Sequence, residues 1–404
     1  MIGFRQEDIT IFSRPPKLWD SVNSDYCTLV KKMKPARFFP LIVLLLSPLL
    51  FHTANAQSKE QRVNERVEEF IGIKMAEQHI PGLSIAVIRD GKILKMQGYG
   101  VADIATGTPA TAETVYKIAS VSKQFIASAI MLLHQEGKIN LDAPVNSFCD
   151  SFPPLWKQIT IRHLLTHTSG LVRDIPGYSP VKVRSNTEAI RQLFNVPLQF
   201  APGEKYQYSN AGYCILAEIL QRLTGMPWDN FIRDRIFIPA GMSQTRPTTE
   251  AETIPFRANG YKPTATGFEK VGPQLVVRPS GAFLSSVIDL AKWDSVLYTR
   301  SILTNESKQL MWTPVTLNDG RTYSYGFGWT LGSIRGHQRV MHNGSLPGFK
   351  SGFLRYPKDH LSVIVLTNSN DAVPLDIALK IAGFYMPILE PLPKATATPD
   401  PSLQ

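Results

Sequence analysis

Ser120 and Lys123 stand three residues apart in Ala119-Ser120-Val121-Ser122-Lys123, at the start of a stretch whose apolar positions Phe125, Ile126, Ala129, Ile130 and Leu133 recur at helical spacing. Residues three apart on a helix project from one face, so the amine can reach the hydroxyl. A serine hydroxyl is a weak nucleophile at neutral pH and must hand its proton to a base as it attacks. A lysine serves where its surroundings favour the neutral amine. The start of the helix also aims backbone N–H groups at the region where an oxyanion would form. The spacing alone is a poor signal, because two common residue types at a fixed separation meet about once or twice by chance in a chain of this length. Ser179-Pro180-Val181-Lys182 repeats it in a Pro-containing stretch with no apolar helix behind it.

Two further elements carry polar side chains where chemistry would need them. Tyr208-Ser209-Asn210 enters an apolar helical stretch that starts at Ala211. There a phenol could pass a proton from nucleophile to leaving group, and an amide could hold both a substrate carbonyl and the lysine. Taken alone, the same residues read equally well as a packed tyrosine and a helix cap. His342-Asn343-Gly344-Ser345 closes a stretch of strand character and is the only His-x-Gly in the chain. Glycine admits close backbone approach, so a substrate could pair along this edge while an N–H near Ser345 completes an oxyanion hole.

The elements that must position these residues follow from periodicity and breakers. An amphipathic helix near 62–78 ends at Pro81-Gly82, and Leu83 to Ile88 reads as a strand running into an Asp90-Gly91 turn. Residues 137–270 read mainly as helices, near 161–166, 187–194, 211–224 and 228–235. Strand character returns at 340–342, 352–356 and 361–367, before a last helix near 375–384 and a Pro-rich tail over 387–404. Strands at both ends with helices between imply one antiparallel sheet whose halves lie far apart in sequence. The expected fold class is α/β of the α+β type, with sheet parts at about 57–136 and 271–386 and a helical part at about 137–270, forming one catalytic domain over 57–386.

Length and composition are those of an ordinary globular chain of 404 residues. Lys31, Lys32, Lys34 and Arg37 precede an apolar run from Phe38 to Phe51, followed by Ala54-Asn55-Ala56. This is the pattern of a signal peptide over 33–56 with translation starting at Met33, so residues 1–32 read as a misassigned start. The run is too short for a stable span of about 20 residues, and the mature protein is expected to be periplasmic or secreted. The excess of ten basic charges comes without a dense Lys/Arg block or aromatic interleaving, which argues against a nucleic-acid partner. Cys149 and Cys214 could pair in an oxidising compartment, although a buried free thiol is the plainer reading for Cys214 in its apolar helix. The cysteines lack zinc-site spacing, and His163 and His167 lack the Glu of a His-Glu-x-x-His site, so neither a metal nor another cofactor is expected.

In the order Ser-x-x-Lys, Tyr-x-Asn, His-x-Gly, the chain resembles the penicillin-recognising serine hydrolases, the broad family of class C β-lactamases, D,D-peptidases and family VIII-type esterases. The resemblance covers roughly 62–386. It extends through Tyr116-Lys117-Ile118-Ala119, Leu164-Leu165-Thr166-His167-Thr168-Ser169-Gly170, Pro239-Ala240-Gly241-Met242, Pro279-Ser280-Gly281, Tyr325-Gly326-Phe327-Gly328-Trp329 and Leu346-Pro347-Gly348-Phe349. It implies a β-lactamase/transpeptidase-like sheet domain with an inserted helical domain and a cleft between them. It also implies Ser120 as acylated nucleophile, Lys123 as its base, Tyr208 as proton relay, Asn210 as substrate and lysine contact, and His342, Asn343, Gly344 and Ser345 as the substrate-binding third wall. The oxyanion donors would be the N–H groups of Ser120 and Ser345.

Class C β-lactamases carry Lys-Thr-Gly on that third strand. With His342 there, the permanent cation facing a carboxylate is missing or pH-dependent, and Asn343 replaces the hydroxyl that would bind it. Peptide or amide cleavage at D-amino-acid centres and ester cleavage therefore rank ahead of β-lactam hydrolysis, with a small-molecule or cell-wall peptide as substrate. A non-catalytic wall-binding or partner-binding protein on the same fold is the reading from another class, disfavoured because all three motifs are complete. An α/β-hydrolase is excluded by the lack of Gly-x-Ser-x-Gly.

Overall fold

The computed structural model describes residues 60–177, 185–248, 253–272 and 278–390. The leader, the second Ser-x-x-Lys at Ser179 and Lys182, and the tail beyond residue 390 lie outside them. All but residues 60–62 of the described chain belong to the unit Val63–Gln404.

The main sheet of this unit has seven strands, β1 (Gly82–Arg89), β2 (Lys92–Asp103), β3 (Thr108–Pro109), β4 (Thr330–Ile334), β5 (His337–Leu346), β6 (Phe349–Tyr356) and β7 (Leu361–Thr367). Their spatial order is β4-β5-β6-β7-β1-β2-β3, antiparallel throughout. Strand β7 therefore joins the two halves of the sheet, with Leu83 opposite Thr367 and Ile85 opposite Val365. Side chains alternate between faces along each strand. Leu83, Ile85 and Val87 of β1 pack with Val67 and Ile71 of helix α1 (63–77) and with Ile377 and Ile381 of a C-terminal helix. Ala86 and Ile88 enter the other core, among the helices of the 110–329 segment. Both faces are covered, which is why β1 and β7 read as nearly unbroken apolar runs.

Two helices run through that second core. Helix α2 (Lys123–Gln135) is buried from Lys123 to Leu133, and α3 (Asn210–Thr224) from Ala211 to Leu220. Helix α4 (Val287–Val296) packs against β1 and β7, and α5 (Pro374–Tyr385) against β6 and β7 on the opposite face. Helix α2 is buried along nearly its whole length, and its polar Lys123, Gln124 and Ser128 are each hydrogen-bonded inside. Phe125 on α2 anchors it edge-on against Phe237 and Phe283 and beside Trp293.

The 161–166 and 211–224 expectations correspond to Ile161–Leu165 and Asn210–Thr224. The helix expected over 228–235 is α-helical only to Ile232 and continues as a wider π turn over Arg233–Phe237. Cys149 and Cys214 are both buried and unpaired. Among the described residues, no helix is long and apolar enough to cross a membrane.

Candidate active site

Ser120 does not sit on the first turn of α2 itself. It lies in a 3-10 turn over Ala119–Ser122 that feeds the helix, and Ala119 takes a left-handed φ of 49°. Such a backbone costs about 1 kcal/mol or more for a residue with a Cβ and persists only where its surroundings enforce it. Here they do. The Ile118 carbonyl accepts a 2.7 Å hydrogen bond from Ser351 Oγ on β6, and the Ser122 hydroxyl accepts the Phe283 N–H at 3.1 Å. Gly344 on β5 faces the same segment. A Cβ there would lie 2.2 Å from Ser351 Oγ, 2.3 Å from the Ile118 carbonyl oxygen and 3.0 Å from Ala119 Cβ. The glycine of the third motif is thus required by the close approach of β5 to the chain that carries Ser120.

Lys123 is fully buried. Its Nζ lies 3.2 Å from Ser120 Oγ, 2.8 Å from Asn210 Oδ1 and 2.8 Å from the Ser280 carbonyl oxygen. None of these partners is charged. Burial pulls the amine well below the ordinary lysine range, and Arg278 and Arg173 add to this, while Cys214 and Asp174 oppose it. The neutral amine has two N–H groups and one lone pair. Asn210 Oδ1 and Ser280 O can only accept, so they take both N–H groups and leave the lone pair to face the Ser120 hydroxyl. That is the arrangement a general base needs.

Tyr208 is set over Lys123 by a polar scaffold beneath it. The Ser209 N–H donates to His167 Nδ1 at 3.1 Å, Ser209 Oγ donates to the Val172 carbonyl at 2.8 Å, and the Asn210 N–H donates to the Arg173 carbonyl at 2.7 Å. The His167 ring lies 4.3 Å from the Tyr208 ring, and Lys123 Nζ lies 4.7 Å from that ring on the α2 side. Burial keeps the Tyr208 phenol protonated well above its usual range, an effect that its hydrogen bond with Ser120 and the charge of Arg173 oppose. The proximity of hydroxyl and phenol suits a proton relay.

The third motif divides between two directions. Asn343 and Ser345 are exposed beside Ser120, where two hollows meet: one is lined by Ser345 with Asn210, Lys117 and Arg278, the other by Asn343 and Ser345 with Asn210, Tyr208 and Arg173. Strand β4 pairs with β5 only as far as Met341, so the edge from His342 to Leu346 pairs with β6 alone among the described residues. His342 does not face the cleft, which corrects its expected place on the substrate-binding wall. Its ring is 2 % exposed and turned inward. Nδ1 lies 2.7 Å from the Asn343 carbonyl, which can only accept, so this nitrogen carries the proton. Nε2 then accepts the Tyr325 hydroxyl at 2.9 Å. Burial first, and the Lys123 amine second, push the ring down to about 3, so it is neutral at physiological pH and offers no pH-dependent cation to a substrate.

Other residues of the site carried no chemical signal in sequence. His167 packs at a tilt against Tyr208, Tyr325 meets Tyr208 edge-on, and Ser280 contributes only its carbonyl, which any residue type could supply. Asp174 and Arg278 come from separate loops and meet at 3.0 Å. His163 and His167 share no site. His163 Nδ1 caps its own helix by accepting the Thr160 N–H, while His167 lies under Tyr208. Among the described residues, no cluster of His, Cys, Asp or Glu could hold a metal.

Comparison with known proteins places the chain in a family. The Beta-lactamase family profile matches residues 65–383. Penicillin-binding protein 4* of Bacillus subtilis (strain 168) is 30% identical over 334 residues, covering 77% of this chain and 73% of that protein. Among solved structures, the octameric penicillin-binding protein homologue from Pyrococcus abyssi superposes with a TM-score of 0.72 at 29% identity, over 80% of this chain and 77% of that one. The D-amino acid amidase from Ochrobactrum anthropi SV3, complexed with D-phenylalanine, gives 0.69 at 25% identity, over 81% and 98%. The chain belongs to the Beta-lactamase family and is a β-lactamase-related serine hydrolase.

Proposed function

We propose that this protein is an exported hydrolase that cleaves amide bonds at D-amino-acid centres, in short peptides or amino acid amides, through an acyl-enzyme on Ser120. The observation that carries the reading is the burial of Lys123 among three neutral partners, one of them the Ser120 hydroxyl. Ser120 Oγ attacks the substrate carbonyl carbon as its proton moves to Lys123 Nζ. The carbonyl oxygen becomes an oxyanion facing the N–H groups of Ser120 and Ser345. The C–N bond then breaks, and the leaving amine takes a proton by way of Tyr208. Water, deprotonated by the same groups, attacks the ester on Ser120, releasing the acid and restoring the hydroxyl. Asn210 holds both the lysine and the acyl side of the substrate.

The similarity to a penicillin-binding protein and to a D-amino acid amidase supports a D-amino-acid substrate. The lining of Lys117, Arg173 and Arg278 suits a carboxylate-bearing one. Ester cleavage is the second reading, and β-lactam hydrolysis ranks third because His342 and Asn343 stand where class C β-lactamases carry Lys-Thr. The basic, apolar and small-residue succession from Lys31 to Ala56 supports export to the periplasm or medium.

Intact-mass detection of a Ser120 adduct, with turnover measured on a D-Ala-D-Ala peptide, D-phenylalanine amide, a nitrophenyl ester and a penicillin, tests the reading. The peptide or amide should give the highest kcat/KM, and Ser120→Ala should be inert on all four. A Ser120→Ala variant that turns over at the wild-type rate refutes the mechanism, and a wild type that turns over only the ester moves the substrate class. N-terminal sequencing of the exported protein should begin at Gln57.

A further inference from the structure

Lys123 needs both of its acceptors in place if its lone pair is to face Ser120, and the two come from different parts of the chain. Asn210 opens α3, whereas Ser280 lies in the turn Pro279–Gly281. One carboxylate reaches both. Asp174 Oδ1 accepts the Asn210 Nδ2–H at 2.9 Å and the Arg278 guanidinium at 3.0 Å, and Arg278 stands two residues before Ser280. An Asn amide can turn over and exchange its oxygen for its NH2 group. The flipped form would present donors to the lysine and an oxygen to a carboxylate that can only accept. Asp174 therefore forbids the flip. Its side chain is 43% exposed and that of Arg278 21%, so the ion pair contributes little to stability, on the order of 0–1 kcal/mol.

We propose that Asp174, tied to Arg278, is a positioning residue that fixes the Asn210 amide and the Ser280 turn and thereby aims the Lys123 lone pair at Ser120. The inference rests on the assignment of Ser120 and Lys123 above. The polar and charged groups that face Lys123 are Ser120 on its own segment, Asn210, Tyr213 and Cys214 on α3, His167, Arg173 and Asp174 on the loop before it, Tyr208, the Arg278 turn, and His342 on β5. His167 and His342 are held neutral by burial, so Asp174 is the carboxylate in this set. Its negative charge favours the protonated lysine. Removing it lowers the lysine pKa further and moves the acid limb of acylation to lower pH.

The test is the rate constant for fluorophosphonate labelling of Ser120, kinact/KI, measured across pH for the full chain and its Asp174→Ala and Asp174→Asn variants. Asp174→Ala should lower the plateau of kinact about tenfold with KI little changed, since misplacement of a catalytic group acts on the reacting step. Its acid limb should move down by several tenths of a pH unit, with Tm unchanged. Asp174→Asn, whose side-chain oxygen can still accept the Asn210 Nδ2–H, should recover most of kinact yet keep the displaced limb. The proposal is overturned by an Asp174→Ala profile that matches wild type. It is equally overturned by a loss confined to KI with the limb unmoved, which would make Asp174 a ligand-binding residue. Lys123→Met separates the two layers. If Lys123→Met labels as fast as wild type, the assignment of the base itself fails. If it is inert while Asp174→Ala behaves as wild type, only the positioning role fails.

Discussion

Replacing Gly344 by alanine should damage stability and chemistry together, because one methyl group meets three atoms that hold the nucleophile segment. The added Cβ would stand 2.2 Å from Ser351 Oγ and 2.3 Å from the Ile118 carbonyl oxygen, both far inside van der Waals contact, and 3.0 Å from Ala119 Cβ. Overpacking a well-packed interior costs about 1–3 kcal/mol. Separating Ser351 from the Ile118 carbonyl strands a buried donor and acceptor for roughly 1–3 kcal/mol more. A total near 4 kcal/mol corresponds to a fall in Tm of about 8 °C at roughly 2 °C per kcal/mol for a chain of this size. A shift of Ser120 by about 1 Å away from Lys123 should slow acylation about 100-fold. Thermal unfolding and the rate of fluorophosphonate labelling read the two effects separately. The double variant Gly344→Ala/Ser351→Ala clears the hydroxyl but leaves the Ile118 carbonyl, so it should regain only part of the stability. A Gly344→Ala protein with wild-type Tm and labelling rate would refute the argument from close approach. Full rescue in the double variant would show that the hydroxyl alone, not the backbone, sets the limit.

Tyr208→Phe removes the phenol but keeps the ring over Lys123, and should lower kcat about 100-fold with little change in KM, read from steady-state kinetics on the best amide substrate. Burial holds the folded-state pKa of His342 at about 3. Between the ordinary histidine value and that point the unfolded chain binds a proton that the folded protein does not. The resulting stability is complete above about pH 6.5 and is lost as pH falls toward 3, at up to about 1.4 kcal/mol per pH unit. Denaturant titrations across this range should show a shallower slope for His342→Gln than for wild type, and equal slopes would count against a buried neutral ring. Because burial likewise depresses Lys123, the acid limb of the wild-type labelling rate should lie well below the ordinary lysine range, and a rate that climbs all the way to that range would count against it. Cys149 and Cys214 should both alkylate after unfolding without reductant, and neither before it.

The strands and helices that mattered were legible where side-chain periodicity had one cause. Strands β1 and β7 announced themselves because both faces are covered, and α2 because its apolar positions recur at helical spacing. Ser120 and Lys123 were legible only in company, since the same spacing at Ser179 and Lys182 carries no second or third motif. Asn210 and Tyr208 could be named because their side chains themselves meet Lys123 and Ser120. Ser280 could not, as its contribution is a backbone carbonyl. Asp174 and Arg278 are separated by 104 positions, and their meeting is a property of the tertiary fold. The reading of His342 failed for a related reason. Alternation along a strand says that neighbours face opposite ways, but which way is inward depends on Tyr325, which comes from outside the strand.

The placement of β7 also has a consequence for how the molecule comes into being. The Gly82 N–H donates to Asn368 Oδ1 across 286 positions, and the strand that fills the middle of the sheet is the last one synthesised. At ribosomal rates of about 5–20 residues per second, β1 waits roughly 15–60 s for β7 to exist. Until then β1 keeps an open edge, and no fragment ending before residue 361 holds a continuous sheet. Such a chain closes late and all at once, with slow, long-range pairing as its final act.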